Sequence, residues 1–363
     1  MSDEEYMRLA IKLAKQAEGN TSPNPMVGAV IVSPNGEIIA QGYHQKAGQP
    51  HAEINALKAS KGRAHGATMY VSLEPCAHTG RTGPCCDAII RAGIKKVIFA
   101  VNDPNPLVAG EGERRLIAAG LEVIKGICAQ EATELNEKFF NWITNKRPFV
   151  SIKYAMTLDG KIATVGGDSK WITGEEARTY AHELRNAHDA ILVGVNTVLA
   201  DDPQLTTRMV KGKNPVRLVL DANARIPLHA SALNGEAETI IIVSNKADPF
   251  KLQLLRQLPK VSVLELPLLA TGFNLQSLME ELSKRQLTSL LIEGGAATHG
   301  MFLDAGLVDR VYAFIAPKVL GGANSIAAIS GNGKQFVADA FTLHNTRFVQ
   351  LGKDYLITGS IER

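Results

Sequence analysis

His51, Glu53, Cys76 and Cys85 combine residue types and spacing that can do chemistry in this 363-residue chain. A neutral imidazole and two thiolates are ligands for a tetrahedral zinc, and three protein ligands leave a fourth position for water. Glu53 stands two residues from His51, so it can reach that water without binding the metal. Zinc lowers the pKa of bound water towards neutrality and supplies a hydroxide nucleophile, with the glutamate as proton shuttle. A lone histidine or buried cysteine is usually core; here the spacing carries the information. Cys86 is the alternative third ligand, pointing about 100° away from Cys85 on a helix, and Cys85 is preferred. Cys128, in an apolar context, reads as a small core residue.

The elements around these residues alternate. Ser2-x-x-Glu5 has the form of a capping box, and Met7, Ala10, Ile11, Ala14 and Ala17 repeat with helical period. The runs 27–32 and 37–42, separated by Pro34-Asn35-Gly36, predict a β-hairpin. Residues 51–60 predict a helix carrying His51 and Glu53 in its first turn. After a strand at 68–73, Pro75 suits the first position of another helix, which would put Cys76 at that helix's positive end. A helix at 85–92, a strand at 95–101, a helix at 111–119, a strand at 121–125 and a closing helix at 130–145 complete an α/β layer sandwich with a mixed sheet.

A second α/β pattern starts at Phe149. It predicts strands at 149–154, 189–193, 216–221, 238–243, 261–265, 289–293, 308–315 and 354–361, with helices at 175–187, 274–285 and 296–305. No Gly-x-Gly-x-x-Gly follows a strand. Instead the stretch Ser289 to Met301 reads as a buried strand, the paired Gly294-Gly295, and a helix start whose free N–H groups suit a phosphate.

Composition bounds the rest. With 45% hydrophobic and 21% charged residues, the chain is a globular protein of two domains rather than a disordered or membrane one. Lys+Arg number 39 against 36 Asp+Glu, a net of +3, which gives no electrostatic case for a nucleic-acid partner. The acidic start Met1-Ser2-Asp3-Glu4-Glu5 lacks a signal-like basic and apolar region, and no apolar run nears the roughly 18 residues that span a bilayer. Four cysteines, three of them in a metal-like cluster, predict a reducing, cytoplasmic setting.

The His-x-Glu, Pro-Cys and further Cys follow the pattern of zinc nucleobase deaminases, whose cysteines are usually separated by about two residues; here residues 77–84 place eight between them. With that gap, the segments Pro23-Asn24-Pro25-Met26-Val27-Gly28, Gly42-Tyr43-His44, Leu73-Glu74-Pro75-Cys76-Ala77-His78-Thr79-Gly80-Arg81-Thr82-Gly83-Pro84-Cys85-Cys86 and Asp103-Pro104-Asn105-Pro106 resemble the bifunctional deaminase/reductases of riboflavin biosynthesis. In the second half, Lys153 to Lys161, Asp168 to Thr173, Leu184-Arg185, Gly194 to Arg208 and Glu293-Gly294-Gly295 resemble the same family. The resemblance implies a cytidine-deaminase-like α/β/α sandwich at 1–147 and a dihydrofolate-reductase-like α/β domain at 148–363. It implies zinc-dependent removal of the 2-amino group from a 2,5-diamino-6-(5-phosphoribosylamino)pyrimidinone, then NADPH-dependent reduction of the ribosyl to the ribityl group.

Carried over residue by residue, Ala155, Trp171, Thr197, Asp201, Gly295, Ala296, Ala297, Thr298, His299, Gly300 and Met301 would meet NADPH. Ala222 stands where relatives often have Ser, so it could offer a backbone contact but no hydroxyl. Ser169, Arg185, Leu205, Arg208 and Glu293 would meet substrate, since guanidinium forks and short hydroxyls suit a phosphorylated sugar. Lys153 and Glu293, each on a strand edge, are expected to position substrate and move protons as the sugar ring opens. Asn24 is either a pyrimidine-edge contact or a turn residue between two prolines. His78, Thr79 and Arg81 are either sugar–phosphate contacts or solvated loop. A small-molecule phosphoribosyl pyrimidine is the expected partner, with a homodimer through the second domain. A tRNA-type base deaminase with an accessory domain is the runner-up, and a nucleotide-sensing binding protein the third reading.

Overall fold

The computed structural model describes residues 1–77, 83–105, 109–269 and 272–362. It divides into two compact units, Met1–Lys146 and Arg147–Arg363.

The first unit runs α1 (Asp3–Lys15), β1 (Gly28–Val32), β2 (Ile38–Tyr43), α2 (Ala52–Ser60), β3 (Thr68–Val71), α3 (Cys85–Arg91), β4 (Lys96–Phe99), α4 (Glu111–Ala118), β5 (Glu122–Lys125), α5 (Ala129–Leu135) and α6 (Glu137–Asn145). The capping box starts α1 as expected: Ser2 Oγ accepts the Glu5 N–H and Glu5 accepts the Ser2 N–H. The sheet order is β2-β1-β3-β4-β5. β1 is antiparallel to both neighbours, and β3, β4 and β5 are parallel. Met7 and Ala10 of α1 and Ala132 of α5 cover one face, while Ala56 of α2, Ile89 of α3 and Leu116 of α4 cover the other. β1 is buried along its whole length, so it shows no alternation of apolar and polar residues.

The closing helix expected at 130–145 is two helices. Asn136 departs from helical angles at their junction, and its buried amide pairs with both backbone groups of Met26, Oδ1 accepting at 2.8 Å and Nδ2 donating at 2.9 Å. A side chain answering a distant backbone in this way outcompetes one more helical turn.

The second unit runs β6 (Phe149–Thr157), β7 (Lys161–Ala163), α7 (Glu175–Ala187), β8 (Ala190–Gly194), α8 (Val195–Asp201), β9 (Val216–Leu220), β10 (Thr239–Val243), α9 (Pro249–Arg256), β11 (Val261–Glu265), β12 (Leu268–Leu269), β13 (Gly272–Phe273), α10 (Leu275–Lys284), β14 (Ser289–Gly294), α11 (Ala296–Asp304), β15 (Arg310–Ala316), β16 (Ile326–Ala327), β17 (Leu343–Leu351) and β18 (Asp354–Ile361). Nine strands form one sheet in the order β11-β10-β9-β8-β14-β6-β15-β18-β17. It is parallel from β11 to β15 and antiparallel at β18 and β17. Ile240 and Ile242 of β10 face Leu278 and Phe302 on one side, whereas Ile241 and Val243 face Leu252 and Leu255 on the other. Strands buried on both faces give the continuous apolar runs read from the sequence. The strands β7, β12, β13, β16 and β17 and the helices α8 and α9 are elements that those runs do not predict.

Arg217 on β9 is wholly buried. Its guanidinium donates to Gln204 O at 3.1 Å, Asn234 Oδ1 at 3.0 Å and Ala237 O at 2.7 Å, tying the loop after α8 to the sheet. Arg217→Met would strand those acceptors. It should lower the stability of the second unit by about 2–4 kcal/mol, read as a drop in that unit's Tm by calorimetry.

Candidate active site

In the first unit, Gly42 lets α2 lie directly on β2, since a Cβ there would fall 2.4 Å from Ala56 N and 2.7 Å from Ala52 O. That approach sets the start of α2, where His51 is the N-cap and Glu53 sits in the first turn. Cys85 opens α3 behind Pro84. His51 Nδ1 lies 3.3 Å from Cys85 Sγ and 3.6 Å from Cys76 Sγ, and the ligand atoms of the three residues lie within 4.8 Å of one another. Zinc bonds of about 2.0–2.3 Å at tetrahedral angles require donor atoms roughly 3.5 Å apart, so the set fits the metal.

Cys76 is not on a helix, contrary to expectation. Its carbonyl accepts Cys86 N–H at 3.2 Å and its sulfur accepts Cys85 N–H at 3.3 Å. Its polar groups are thus committed to the start of α3 instead of to a helix of its own. Cys86 turns away from the cluster towards the carbonyls of Pro75 and Gly112.

The electrostatics of the cluster call for a cation. A hydrogen bond from Cys85, aided by His51, pulls the Cys76 thiol down to about 4 against the opposing effect of burial. The same contact, then burial, push Cys85 up, because two adjacent buried thiolates repel. Burial, then the charge of Cys76, push the buried Glu53 carboxyl up to about 7, a value suited to both taking and releasing a proton. Burial holds the neighbouring His44 imidazole down.

Glu74 was not singled out as a functional residue by its spacing. Its carboxylate is buried and accepts from Asn102 Nδ2 at 2.9 Å, Asp103 N at 3.2 Å, Gly110 N at 3.0 Å and Glu113 N at 3.2 Å. It thereby holds residues two places from Cys76 against the 102–113 segment. His78, Thr79, Arg81 and Pro106 lie outside the described residues.

In the second unit, two cavities of about 470 and 550 Å³ open at the carboxyl ends of β8 and β14, where parallel α/β sheets bind ligands. The first is lined by Lys153, Ala155, Trp171, Arg185, Leu205, Arg208, Glu293 and His299. The second is lined by Ala222, Arg225, Ala296, Ala297, Thr298 and Met301. Ser169, Thr197, Asp201 and Gly295 line both, and Ser169 Oγ donates to Asp201 Oδ1 at 3.0 Å. Gly300 lines neither: a Cβ there would fall 1.7 Å from Ser330 O, so it serves close packing instead of cofactor contact. The start of α11 carries no side-chain cap, and a Cβ on Gly295 would fall 3.3 Å from Thr197 Oγ1. This bare helix start, beside a glycine whose missing Cβ leaves room next to Thr197, fits a dinucleotide phosphate.

Lys153 and Glu293 meet across neighbouring strands. They lie on β6 and β14, adjacent strands in the middle of the sheet. Lys153 Nζ is 3.5 Å from Glu293 Oε2, and Arg185 grips the same carboxylate twice, Nε to Oε1 at 2.7 Å and Nη2 to Oε2 at 2.8 Å. Burial alone would raise the Glu293 carboxyl; Arg185, then Lys153, hold it well below the usual range. Glu293 is therefore a fixed anion and no acid at neutral pH. Arg185, also bonded to Thr206 O at 3.0 Å, spends its fork on Glu293, leaving Arg208 as the better candidate for an anionic substrate. His182 accepts Arg208 N–H at 3.1 Å, and burial, then Arg185 and Arg208, lower its pKa to about 4.

Residues 148–357 match the family model for the RibD C-terminal domain, and residues 1–101 match the cytidine and deoxycytidylate deaminase zinc-binding region. Riboflavin biosynthesis protein RibD of Aquifex aeolicus is 46% identical, the match covering 98% of this chain and 97% of that protein. The chain belongs to the RibD family. It is 38% identical to the solved RibD of Acinetobacter baumannii, with a TM-score of 0.87 and 99% of each chain covered. It is also 38% identical to a solved Thermotoga maritima diaminohydroxyphosphoribosylaminopyrimidine deaminase/5-amino-6-(5-phosphoribosylamino)uracil reductase, with a TM-score of 0.86 and coverage of 99% and 98%. As a RibD, the chain is a bifunctional deaminase and reductase that uses zinc and NADPH. Among the described residues, no helix is long and apolar enough to cross a membrane.

The geometry separates Cys85 from Cys86. Cys85→Ser should lower the zinc content of the purified protein by more than half, whereas Cys86→Ser should retain nearly all of it, as measured by elemental analysis.

Proposed function

We propose that residues 1–147 deaminate 2,5-diamino-6-(5-phosphoribosylamino)pyrimidin-4-one and that residues 148–363 reduce the ribosyl group of the product to ribityl. The observation that carries the first half is the cluster of His51, Cys76 and Cys85 with Glu53 buried beside it. Zinc held by His51, Cys76 and Cys85 supplies an acidified water to the hydrolysis. Glu53 would move both protons of the attacking water in turn, one to the ring nitrogen and one to the departing amine, so that the water oxygen stays as the ring carbonyl and the amino group leaves as ammonia. Asn24, beside His44, meets the pyrimidine edge.

In the second unit, NADPH supplies the hydride when bound. Ala155, Trp171, Thr197, Asp201, Ala222 and the 295–299 stretch with Met301 form its bed, and Ser169, Leu205 and Arg208 hold the phosphosugar. Glu293 aims the Lys153 ammonium. Lys153 is then the group able to protonate the sugar-ring oxygen as the ring opens and carbon 1 becomes ready for the hydride. Arg185 acts by orienting Glu293. A cluster rich in free thiols suits a cytoplasmic, reducing setting.

A homodimer through the second unit is supported by an apolar surface. β17 is the edge strand of the large sheet, and Phe348 on it is 74% exposed, with Val337 94% exposed and Phe336 and Tyr355 also bare. Bare apolar side chains on and beside an otherwise polar edge strand call for a cover, and a second copy of the same unit supplies one. By light scattering, the protein should show twice the 39.0 kDa chain mass, and Phe348→Glu should shift it to the monomer; an unchanged dimer would remove this edge from the interface.

The two-reaction reading is tested by supplying the phosphoribosyl diaminopyrimidine with and without NADPH. Ammonia should appear in both, and the ribityl product with cofactor alone. Glu53→Gln should keep its zinc, lose ammonia release by about 10²–10⁴-fold and still oxidise NADPH with deaminated substrate. Loss of both activities would contradict separate sites.

A further inference from the structure

His44 follows β2 and is 2% exposed, and the reaction as described gives it no role. Its two ring nitrogens meet different neighbours. Nδ1 lies 3.2 Å from Pro50 O, an oxygen that can only accept, so Nδ1 bears the hydrogen. Nε2 of the neutral ring is then a lone pair. The atom facing it, at 3.3 Å, is Asn24 Nδ2. A lone pair takes an N–H, so the pairing sets which end of the Asn24 amide is nitrogen and which is oxygen. The Pro50 carbonyl that dictates this tautomer is itself held, because Asn55 Nδ2 on α2 donates to it at 3.2 Å and to Tyr43 O at 2.8 Å. The His44 ring stands edge-on to His51, with centroids 5.4 Å apart, so the chain of contacts ends beside the zinc ligands.

We propose that His44 is a positioning residue of the deaminase: it locks the Asn24 amide so that Oδ1, and not Nδ2, is presented to the substrate. The proposal rests on Asn24 being a substrate contact. Its chemical consequence is a site that accepts a hydrogen from the pyrimidine edge. An aminopyrimidinone offers such a hydrogen at its ring N–H and amino groups, whereas an amide turned the other way would set donor against donor. The order of dependence is Pro50 carbonyl, His44 tautomer, Asn24 orientation, substrate edge.

Kinetics of ammonia release by the full-length protein test this with Asn24→Ala, His44→Phe and the double variant. Each single change should raise KM for the diaminopyrimidine roughly tenfold, the scale of one misplaced hydrogen bond, with a smaller change in kcat. The double variant should be no worse than Asn24→Ala alone, and NADPH oxidation with deaminated substrate should be unaffected in all three. His44→Gln, whose Oε1 can accept the same N–H, should restore most of the lost KM, and it decides the matter if His44→Phe loses zinc. An unchanged KM in Asn24→Ala would sink the substrate contact itself. A raised KM there with none in His44→Phe, or a full further loss when His44→Phe is added to Asn24→Ala, would overturn the positioning role. Failure of His44→Gln to rescue would do the same.

Discussion

Glu293 is a carboxylate buried between two cations, and much of the second unit's site depends on that arrangement. An ionised carboxylate out of water is costly unless charge and hydrogen bonds answer it. Arg185 answers with two parallel bonds and Lys153 with its ammonium. Three elements are thereby brought into register, because the anion is on β14, the fork on α7 and the ammonium on β6. The loop after α8 is held from the same side, since Arg185 also grips Thr206 and Arg217 grips Gln204. Much of the cavity wall is thus fixed by arginines that spend their donors inside the protein.

The first unit meets the same buried negative charge without arginines or lysines. Buried thiols beside a buried carboxyl crowd negative charge into one place, which a divalent cation relieves. The supporting groups are backbone N–H groups and amides, not counter-charges: Cys85 N–H on Cys76, Asn102 and three backbone N–H groups on Glu74. Glu74 and Glu293 are both buried acids near chemistry. One is answered by neutral donors and organises a loop, and the other is answered by cations and sits in the cavity itself.

The sequence was most legible where one element declares itself. Strands rich in apolar residues, such as β8, β9, β10 and β14, lie close to their predicted bounds, and the Ser2 capping box starts α1. The zinc cluster was readable because His51 and Glu53 share one turn and the cysteines follow Pro. Legibility failed where a long-range partner decides. Asn136 breaks a helix for the sake of Met26, and Cys76 forgoes a helix for the sake of Cys85. Arg185 looks like a phosphate fork until Glu293 is seen in its grasp. α8 is seven residues long with no side-chain cap, and β17 shows solvent a mostly polar, exposed pattern; neither has the periodicity by which elements are recognised. α9 carries a local signal, Asp248 followed by Pro249 at the helix start, but it is only eight residues long. His44 and Glu74 lay within motifs, but nothing in their spacing told their roles.

The two thiol ligands are each held from outside the stretch that separates them. Cys76 is placed by β3 and by the Glu74 hub next to it, and Cys85 by the first turn of α3. The contacts that place the two sulfurs thus come from β3, Glu74 and α3. In such an arrangement the length and composition of that stretch can drift, and with them the shape of what is admitted, while the hydrolytic chemistry is inherited intact. The metal centre and the spacing between its cysteines are thus separable features of the chain.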